Sequence, residues 1–390
     1  MVTLDAAIAG LGMTEMGKVY GRTATQLAVE AVGSAASDAG LQVGDIDGLL
    51  INFGIGRQVG IPLAADLGLR DLSMLSEIQS FGSSAGVMVM QAAAAIATGQ
   101  ASTVACVFAD VPLTEGKRTG ATYADPKLRL RPGFLGVAPA GGFLGPNIGY
   151  ALAARRHMDK YGTTSEQLGH VAVSTRKWAE LNPLAQMRDP MTIEDHQSSR
   201  YIVEPLHLLD CCLVSNGAVA CIVTSGERAR DLVQPPVYLH GGGQCHPGYL
   251  DARDSEFGLV TGAKLSGERA MAMAGVRPEQ IGVREIYDCY TYTTLVTLED
   301  YGFCAKGEGG ALAESGALAP GGALPTNTGG GQLSGYYMWG MTPLSEAIIQ
   351  GRGQGGDRQV ADNDYILVSG NGGILAHHST LILSPHSKES

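Results

Sequence analysis

No Cys-x-x-Cys pair, no long uninterrupted apolar run and no basic stripe occur in this chain of 390 residues. The seven cysteines (Cys106, Cys211, Cys212, Cys221, Cys245, Cys289 and Cys304) are odd in number and scattered. That excludes a secretory disulfide framework and leads to the expectation of reduced thiols in a cytoplasmic protein. No stretch reaches the roughly 18 apolar residues that a membrane span requires, and the apolar segment ending at Leu11 lacks the length and basic start of a signal peptide. Membrane insertion is therefore not expected. Charged residues make up only 17% of the chain, with a net charge of −11. Nothing in that balance would neutralise phosphates, so nucleic acid is not an expected partner. The clusters Gly329-Gly330-Gly331 and Gly370-Asn-Gly-Gly373 are followed by no Lys-Ser/Thr, which excludes a P-loop. His246 beside Cys245 has no further ligands at zinc spacing, so no metal is expected.

Glycine, by contrast, is abundant at 55 residues and has no collagen-like period. It is concentrated around Gly331-Gln-Leu-Ser-Gly-Tyr-Tyr-Met-Trp-Gly340, which leads into a helix-like segment, Pro343 to Gly351. Two tyrosines and a tryptophan in a loop otherwise stripped of side chains suggest the floor of an active site, because glycine lets the backbone approach a ligand closely.

Ala6 to Leu11 and Ile46 to Asn52 read as strands, and Thr23 to Asp38 as a helix with Thr23 as N-cap. Leu75 to Phe81 approaches a turn at Gly82-Ser-Ser-Ala-Gly86, from which Val87 to Thr98 reads as a buried helix before a strand at Val104 to Phe108. This order is α/β. Residues 112–147 are rich in Gly, Pro and basic groups (Lys117, Arg118, Lys127, Arg129, Arg131) and read as covering loops. The basic groups either meet phosphates or stay solvated. Helices are expected from Ile148 to Tyr161 and from Thr164, where Thr and Gln167 suggest a capping box, to about Asn182. The second half then repeats the first. Ala39-Gly40, Ile46 and Ile51 recur at one offset as Ala274-Gly275, Ile281 and Ile286, while Ala95-Ile96 recurs further on as Ala347-Ile348, so a loop has grown between. A repeat this long indicates a duplicated domain rather than a solenoid.

Ala153-Ala-Arg-Arg-His-Met-Asp-Lys-Tyr-Gly-Thr-Thr-Ser-Glu-Gln167, Asn182-Pro, Arg188-Asp-Pro-Met-Thr-Ile-Glu-Asp195, Leu209-Asp-Cys-Cys212 and Ser215-Asn-Gly-Ala218 carry a more specific signal. On these residues the chain resembles the sterol-carrier or lipid-transfer branch of the thiolases over nearly its whole length. The resemblance implies a duplicated thiolase fold: two similar βαβαβαββ halves in five layers, α-β-α-β-α, with a loop and helical insertion. Residues 1–110 and 206–235 would form the first half, 111–205 the insertion over the active site, and 236–390 the second half.

The positions of thiolase chemistry are altered. The first-half turn reads Gly82-Ser83-Ser84-Ala85-Gly86, placing Ser83 where the nucleophilic Cys is expected. The His-Asp-Cys-Phe segment becomes Tyr287-Asp288-Cys289-Tyr290, and the Gly-His-Pro histidine falls at Tyr336 or Tyr337. The second Cys falls in Ser369-Gly-Asn-Gly-Gly373, which has none. Serine without an adjacent base is a poor acyl carrier. A site with oxyanion-type glycine turns and no carrier suits an aldol or retro-aldol step.

That pattern resembles the thiolase-like aldolases of bacterial steroid side-chain degradation. It implies cleavage of a 17-hydroxy steroid acyl-CoA to a 17-ketosteroid and propionyl-CoA, with no cofactor beyond the substrate's own CoA. It also implies a homodimer bound to a DUF35-type OB-fold protein, itself fused to or bound with an enoyl-CoA hydratase, as a heterotetramer. Tyr287 and Tyr337 are the expected acid–base pair, with Tyr292 and Tyr336 as further candidates. Ser83, Asp288, Gly335, Trp339, Gly372 and Gly373 are expected at the substrate or oxyanion site, and Tyr290 and His377-His378 are either packing groups or neighbours of it. The competing readings are a thiolase-type acyltransferase and a non-catalytic lipid carrier or scaffold.

Overall fold

A computed structural model describes residues 5–124, 136–143, 145–248 and 256–388. Its strands in chain order are β1 (Ala6–Met13), β2 (Gly48–Phe53), β3 (Met74–Glu77), β4 (Thr103–Asp110), β5 (Tyr201–Val203), β6 (Leu206–His207), β7 (Gly217–Ser225), β8 (Val237–Cys245), β9 (Val283–Glu285), β10 (Ile366–Gly372) and β11 (His377–Ser384). Nine of them form one mixed sheet in the order β3-β2-β4-β7-β1-β8-β11-β10-β9, and β5 and β6 form a separate hairpin.

The duplication is legible in the pairing. In the first half β2 runs parallel to β4, β4 antiparallel to β7, and β7 antiparallel to β1. In the second half β9, β10, β11 and β8 repeat those relations in the same order. The halves meet along a narrow seam, where β1 pairs with β8 only through Ala7–Tyr238 and Ile8–Val237. The counterpart of β3 is reduced to a single parallel bridge between Thr326 and Arg284.

Close backbone packing explains one feature of the glycine excess. A Cβ on Gly10 or Gly12 of β1 would lie 2.1 or 2.0 Å from a carbonyl oxygen of the Ala24–Asp38 helix. On Gly241 and Gly243 of β8 it would lie 2.1 Å from carbonyls of the Ala263–Ala274 helix. Both helices end on a left-handed glycine, Gly40 at φ 77° and Gly275 at φ 74°, which are the two positions at which the sequence repeat begins. β4 and β7 are buried on both faces, which is why each reads as a nearly continuous apolar run.

Most expected elements are present. Thr23 and Gln26 close a reciprocal capping box, as do Thr164 and Gln167. The difference is β3, a strand where only an approach to a turn is expected from the sequence. It is a four-residue edge strand without a buried residue, so it lacks the apolar pattern of its neighbours. Between β4 and β7, the Pro146–Tyr161 and Ser165–Glu180 helices lean on the second half: the latter packs on the Thr291–Asp300 and Gly309–Glu314 helices and on the Gly331–Gly335 turn. Lys127, Arg129 and Arg131 lie outside the described residues, while Lys117 and Arg118 are exposed. All seven cysteines are free. Among the described residues no helix is long and apolar enough to cross a membrane.

Candidate active site

Two equivalent turns open the buried helices of the two halves. Phe81-Gly82-Ser83 leads into the Ser84–Ala97 helix and Trp339-Gly340 into the Met341–Gly351 helix. Each turn carries an aromatic residue at positive φ, 55° at Phe81 and 49° at Trp339, followed by glycine. The turns touch: a Cβ on Gly340 would lie 2.2 Å from the carbonyl oxygen of Gly82, and the Phe81 and Trp339 rings are 5.9 Å apart. Trp339 also stacks on Phe108 at 5.1 Å.

Tyr287 follows β9 and lays its ring against the first turn. A Cβ at Gly82 would sit 2.1 Å from Cε2 of Tyr287 and 2.3 Å from the carbonyl oxygen of Asn371. The hydroxyl of Tyr287 is hydrogen-bonded to that of Tyr337 at 3.2 Å.

The Tyr337 loop is held from three sides. The buried Asp288 carboxylate accepts the backbone N–H groups of Gln332 at 2.8 Å and Leu333 at 3.4 Å. The segment between β4 and β7 contributes Arg176, whose Nε donates to Ser334 Oγ at 2.9 Å, and Asn182, whose Nδ2 donates to the Gly329 carbonyl at 2.8 Å. The backbone N–H of Tyr337 donates to Ser215 Oγ at 3.0 Å, and Ser215 Oγ also accepts Gln186 Nε2 at 2.6 Å. Asn182 and Ser215, from two of the segments that carry the resemblance, thus meet at one loop.

Burial governs the electrostatics. It pushes both phenols well above their usual value, with the hydrogen bond from Tyr337 partly offsetting the shift at Tyr287. Both are therefore neutral donors near pH 7. Burial raises Asp288 to about 7 against the pull of its backbone hydrogen bonds. Beside the pair, burial pushes Cys289 to about 12 and Cys212 well above the ordinary thiol value, so neither supplies a thiolate at neutral pH.

The other expected site residues lie as follows. Ser83 does not face Tyr287: its Oγ turns back to donate to the Ser80 carbonyl at 2.9 Å, and the residue presented to the phenol is Gly82. The reason is the geometry of the turn, which directs the first side-chain position after Phe81 at the phenol and the next into the helix start. Tyr336 and Tyr292 are not brought to the pair. Tyr336 donates to Ser345 Oγ at 2.7 Å, since Ser345 itself donates to the Thr342 carbonyl, and Tyr292 donates to the Gly258 carbonyl. Gly335 spends its N–H on the Gly330 carbonyl and its carbonyl on Gln186. Gly372 lies under the first turn, where a Cβ would meet the Ser80 carbonyl at 2.3 Å, and Gly373 turns the chain at φ 63°. Tyr290 donates to Asn147 Oδ1 at 2.5 Å and packs on Tyr150.

His377 stacks near Phe81 at 6.2 Å and its Nδ1 lies 3.1 Å from Nδ1 of His246. His378 is buried with Ser369 and Tyr301, and burial lowers it to about 3. Among the described residues no three His, Cys, Asp or Glu side chains are grouped to hold a metal. Sequence reasoning missed Gly82, Tyr150 and Asn371. Asn371 donates to the Tyr150 hydroxyl at 3.3 Å and its Oδ1 is buried without a partner among the described residues. A shift of register by one in the Gly-Ser-Ser turn would have found the first, and the Ser369-Gly-Asn-Gly-Gly373 segment holds Asn371; nothing local marks Tyr150.

Comparison with known proteins gives the family. Residues 243–385 match the family model of the thiolase C-terminal domain-like proteins. The chain is 41% identical to a steroid side-chain-cleaving aldolase of Thermomonospora curvata, over 95% of each chain. It is 38% identical to the 17-hydroxy-3-oxo-4-pregnene-20-carboxyl-CoA lyase of Mycobacterium tuberculosis, over 96% of this chain and 98% of that one. The solved Ltp2-ChsH2(DUF35) aldolase superposes over 98% of both chains with a TM-score of 0.88 at 39% identity. A monomeric SCP2-thiolase-like protein of Mycobacterium smegmatis, 20% identical, shares the fold with a TM-score of 0.75 over all of this chain and 79% of that one.

Proposed function

The chain belongs to the thiolase-like steroid side-chain-cleaving aldolases, and from that premise we propose that its Tyr287–Tyr337 pair drives the retro-aldol cleavage of a 17-hydroxy steroid acyl-CoA. It is a carbon–carbon lyase. The bond broken joins the carbinol carbon of the steroid D-ring to the α-carbon of the thioester side chain. The hydroxyl proton leaves oxygen, the C–O bond becomes a ketone, and the electrons of the broken bond pass into the thioester as an enolate. Protonation of the enolate α-carbon gives propionyl-CoA. One proton leaves and one arrives, with no change of oxidation state, so the step needs no cofactor besides the CoA of the substrate.

The observation that carries this reading is the contact of two phenol oxygens at 3.2 Å beside a turn that presents glycine rather than a thiol. Burial keeps both phenols protonated, so neither acts as a resting phenolate base. Their hydrogen bond supports a concerted transfer instead: one phenol takes the hydroxyl proton while the pair delivers another to the enolate, directly or through a water. In this reading Asp288, Ser215 and Gln186 position the Tyr337 loop, and Trp339 and Gly82 shape the floor. The acyltransferase alternative requires a carrier, and the buried Ser83 hydroxyl and the raised thiols of Cys212 and Cys289 disfavour one.

The partner is a DUF35-type OB-fold protein, and the assembly we propose is a homodimer with two such partners, which brings in the linked hydratase. The edge strand β3, whose outer side is unpaired among the described residues, is compatible with self-association. Free thiols at all seven cysteines suit a reducing cytoplasm. The test is to co-express the chain with a DUF35 protein and supply a 17-hydroxy steroid acyl-CoA. The 17-ketosteroid and propionyl-CoA are expected; acyl transfer to free CoA, or binding without turnover, would contradict the reading.

A further inference from the structure

Phe81 is held at φ 55°, a conformation that glycine adopts freely and a bulky L residue does not, yet its ring is 40% exposed. Packing does not account for it. Trp339 shows what packing looks like under the same backbone: 6% exposure and a stack on Phe108. The direction of the Phe81 ring is nonetheless fixed. Its N–H donates to Gln79 Oε1 at 2.9 Å, its Cβ covers Gly372, and its ring has Trp339 and His377 as neighbours, the His377 ring nearly parallel at 18° with centroids 6.2 Å apart. The part of the Phe81 side chain that these neighbours leave uncovered is thus displayed to solvent one residue before Gly82, which lies against the Tyr287 phenol.

Resting on the function proposed above, we infer that Phe81 is the specificity residue for the fused-ring body of the substrate. The reacting carbon of a 17-hydroxy steroid belongs to the ring system itself, with no spacer. The ring body must therefore lie beside Tyr287 and Tyr337, at the height of the residue flanking Gly82. A flat hydrocarbon gains from an aromatic face there by losing water from both surfaces, whereas the amide-rich pantetheine arm gains little. The strained backbone keeps the ring at the surface beside Gly82 instead of letting it fold into the core.

The test compares Phe81→Gly with the native chain, each assembled with its DUF35 partner. Two thioesters are used: the 17-hydroxy steroid acyl-CoA, and the ring-free 3-hydroxy-2,3-dimethylbutanoyl-CoA, whose retro-aldol products are acetone and propionyl-CoA. Glycine relieves the backbone, so the variant is expected to melt no lower than the native chain. KM for the steroid thioester should rise about tenfold, with kcat within about twofold. Both constants for the ring-free thioester should stay within about twofold of native. Phe81→Asn, which tolerates the same backbone, should behave alike. An equal loss on both thioesters, or an unchanged KM for the steroid one, overturns the assignment. Calorimetric binding of a free 17-ketosteroid reads the same contact without turnover. Weaker binding to Phe81→Gly supports the inference even in a protein that cleaves neither thioester, an outcome that would sink only the function; equal binding overturns the inference.

Discussion

The two helix-opening turns began as copies and now differ in what they do with one geometry. Phe81-Gly82 and Trp339-Gly340 share a strained aromatic followed by a glycine; the Gly82 carbonyl leaves no room for a Cβ at Gly340, and the Tyr287 ring and Asn371 carbonyl leave none at Gly82. The second turn buries its aromatic against Phe108, so the strain there is offset by packing. The first leaves its aromatic 40% exposed, and the space in front of its glycine is filled by the Tyr287 ring. A phenol from the second half has taken the place that a side chain on the first-half turn would occupy. In the function proposed, that exchange leaves no acyl carrier at the turn, and proton transfer between phenols takes the place of covalent acyl transfer.

The largest expected effect falls on the phenols. Tyr287→Phe and Tyr337→Phe should each lower kcat by about 10²- to 10⁴-fold, the range for losing a general acid or base, while the melting temperature stays near native. Near-native turnover in both would end the assignment. Breaking the packing asymmetry comes next. Trp339→Ala should cost about 3–5 kcal/mol of unfolding free energy and Phe81→Ala less than about 1 kcal/mol, measured by denaturant titration. Equal losses would show that the two turns are used alike.

Gly82→Ala sharpens the same contrast, because its Cβ would stand 2.1 Å from the Tyr287 ring. It should destabilise by about 1–3 kcal/mol and displace the phenol, lowering activity more than stability alone explains. Gly82→Cys should not restore acyl transfer; a trapped acyl-cysteine in that variant would refute the steric argument.

A separate effect is the pH dependence set by Asp288, whose folded pKa is raised to about 7. A raised folded pKa means that the proton favours the folded state. The stabilisation is complete below the unfolded value of about 3.9 and is lost as pH rises towards 7. The unfolding free energy of the native chain should therefore fall relative to Asp288→Asn between about pH 4 and pH 7 and run level above. A rise over that interval would contradict the buried placement.

Much of this was open to the sequence because local chemistry carried it. Gly40 and Gly275 end equivalent helices, Thr23 and Thr164 cap others, and Tyr287 and Tyr337 stand in motif positions that three-dimensional structure brings together. What escaped depends on direction and distance. Whether Gly82 or Ser83 faces the site is a matter of one residue of turn register. The destinations of the Tyr292 and Tyr336 hydroxyls are set by the Gly258 carbonyl and Ser345, neither of which pattern or spacing identifies. β3 lacked a buried face to announce it, and the exposure of Phe81 exists only once Trp339, Gly372 and His377 have assembled around it.

The most direct measurement of the central claim is intact-protein mass spectrometry on samples quenched during turnover of the steroid acyl-CoA by the chain and its DUF35 partner in deuterated water. The account predicts unmodified protein at every time point, and propionyl-CoA carrying one deuterium at its α-carbon in step with the 17-ketosteroid. An acylated protein that forms and decays at the rate of turnover would contradict it.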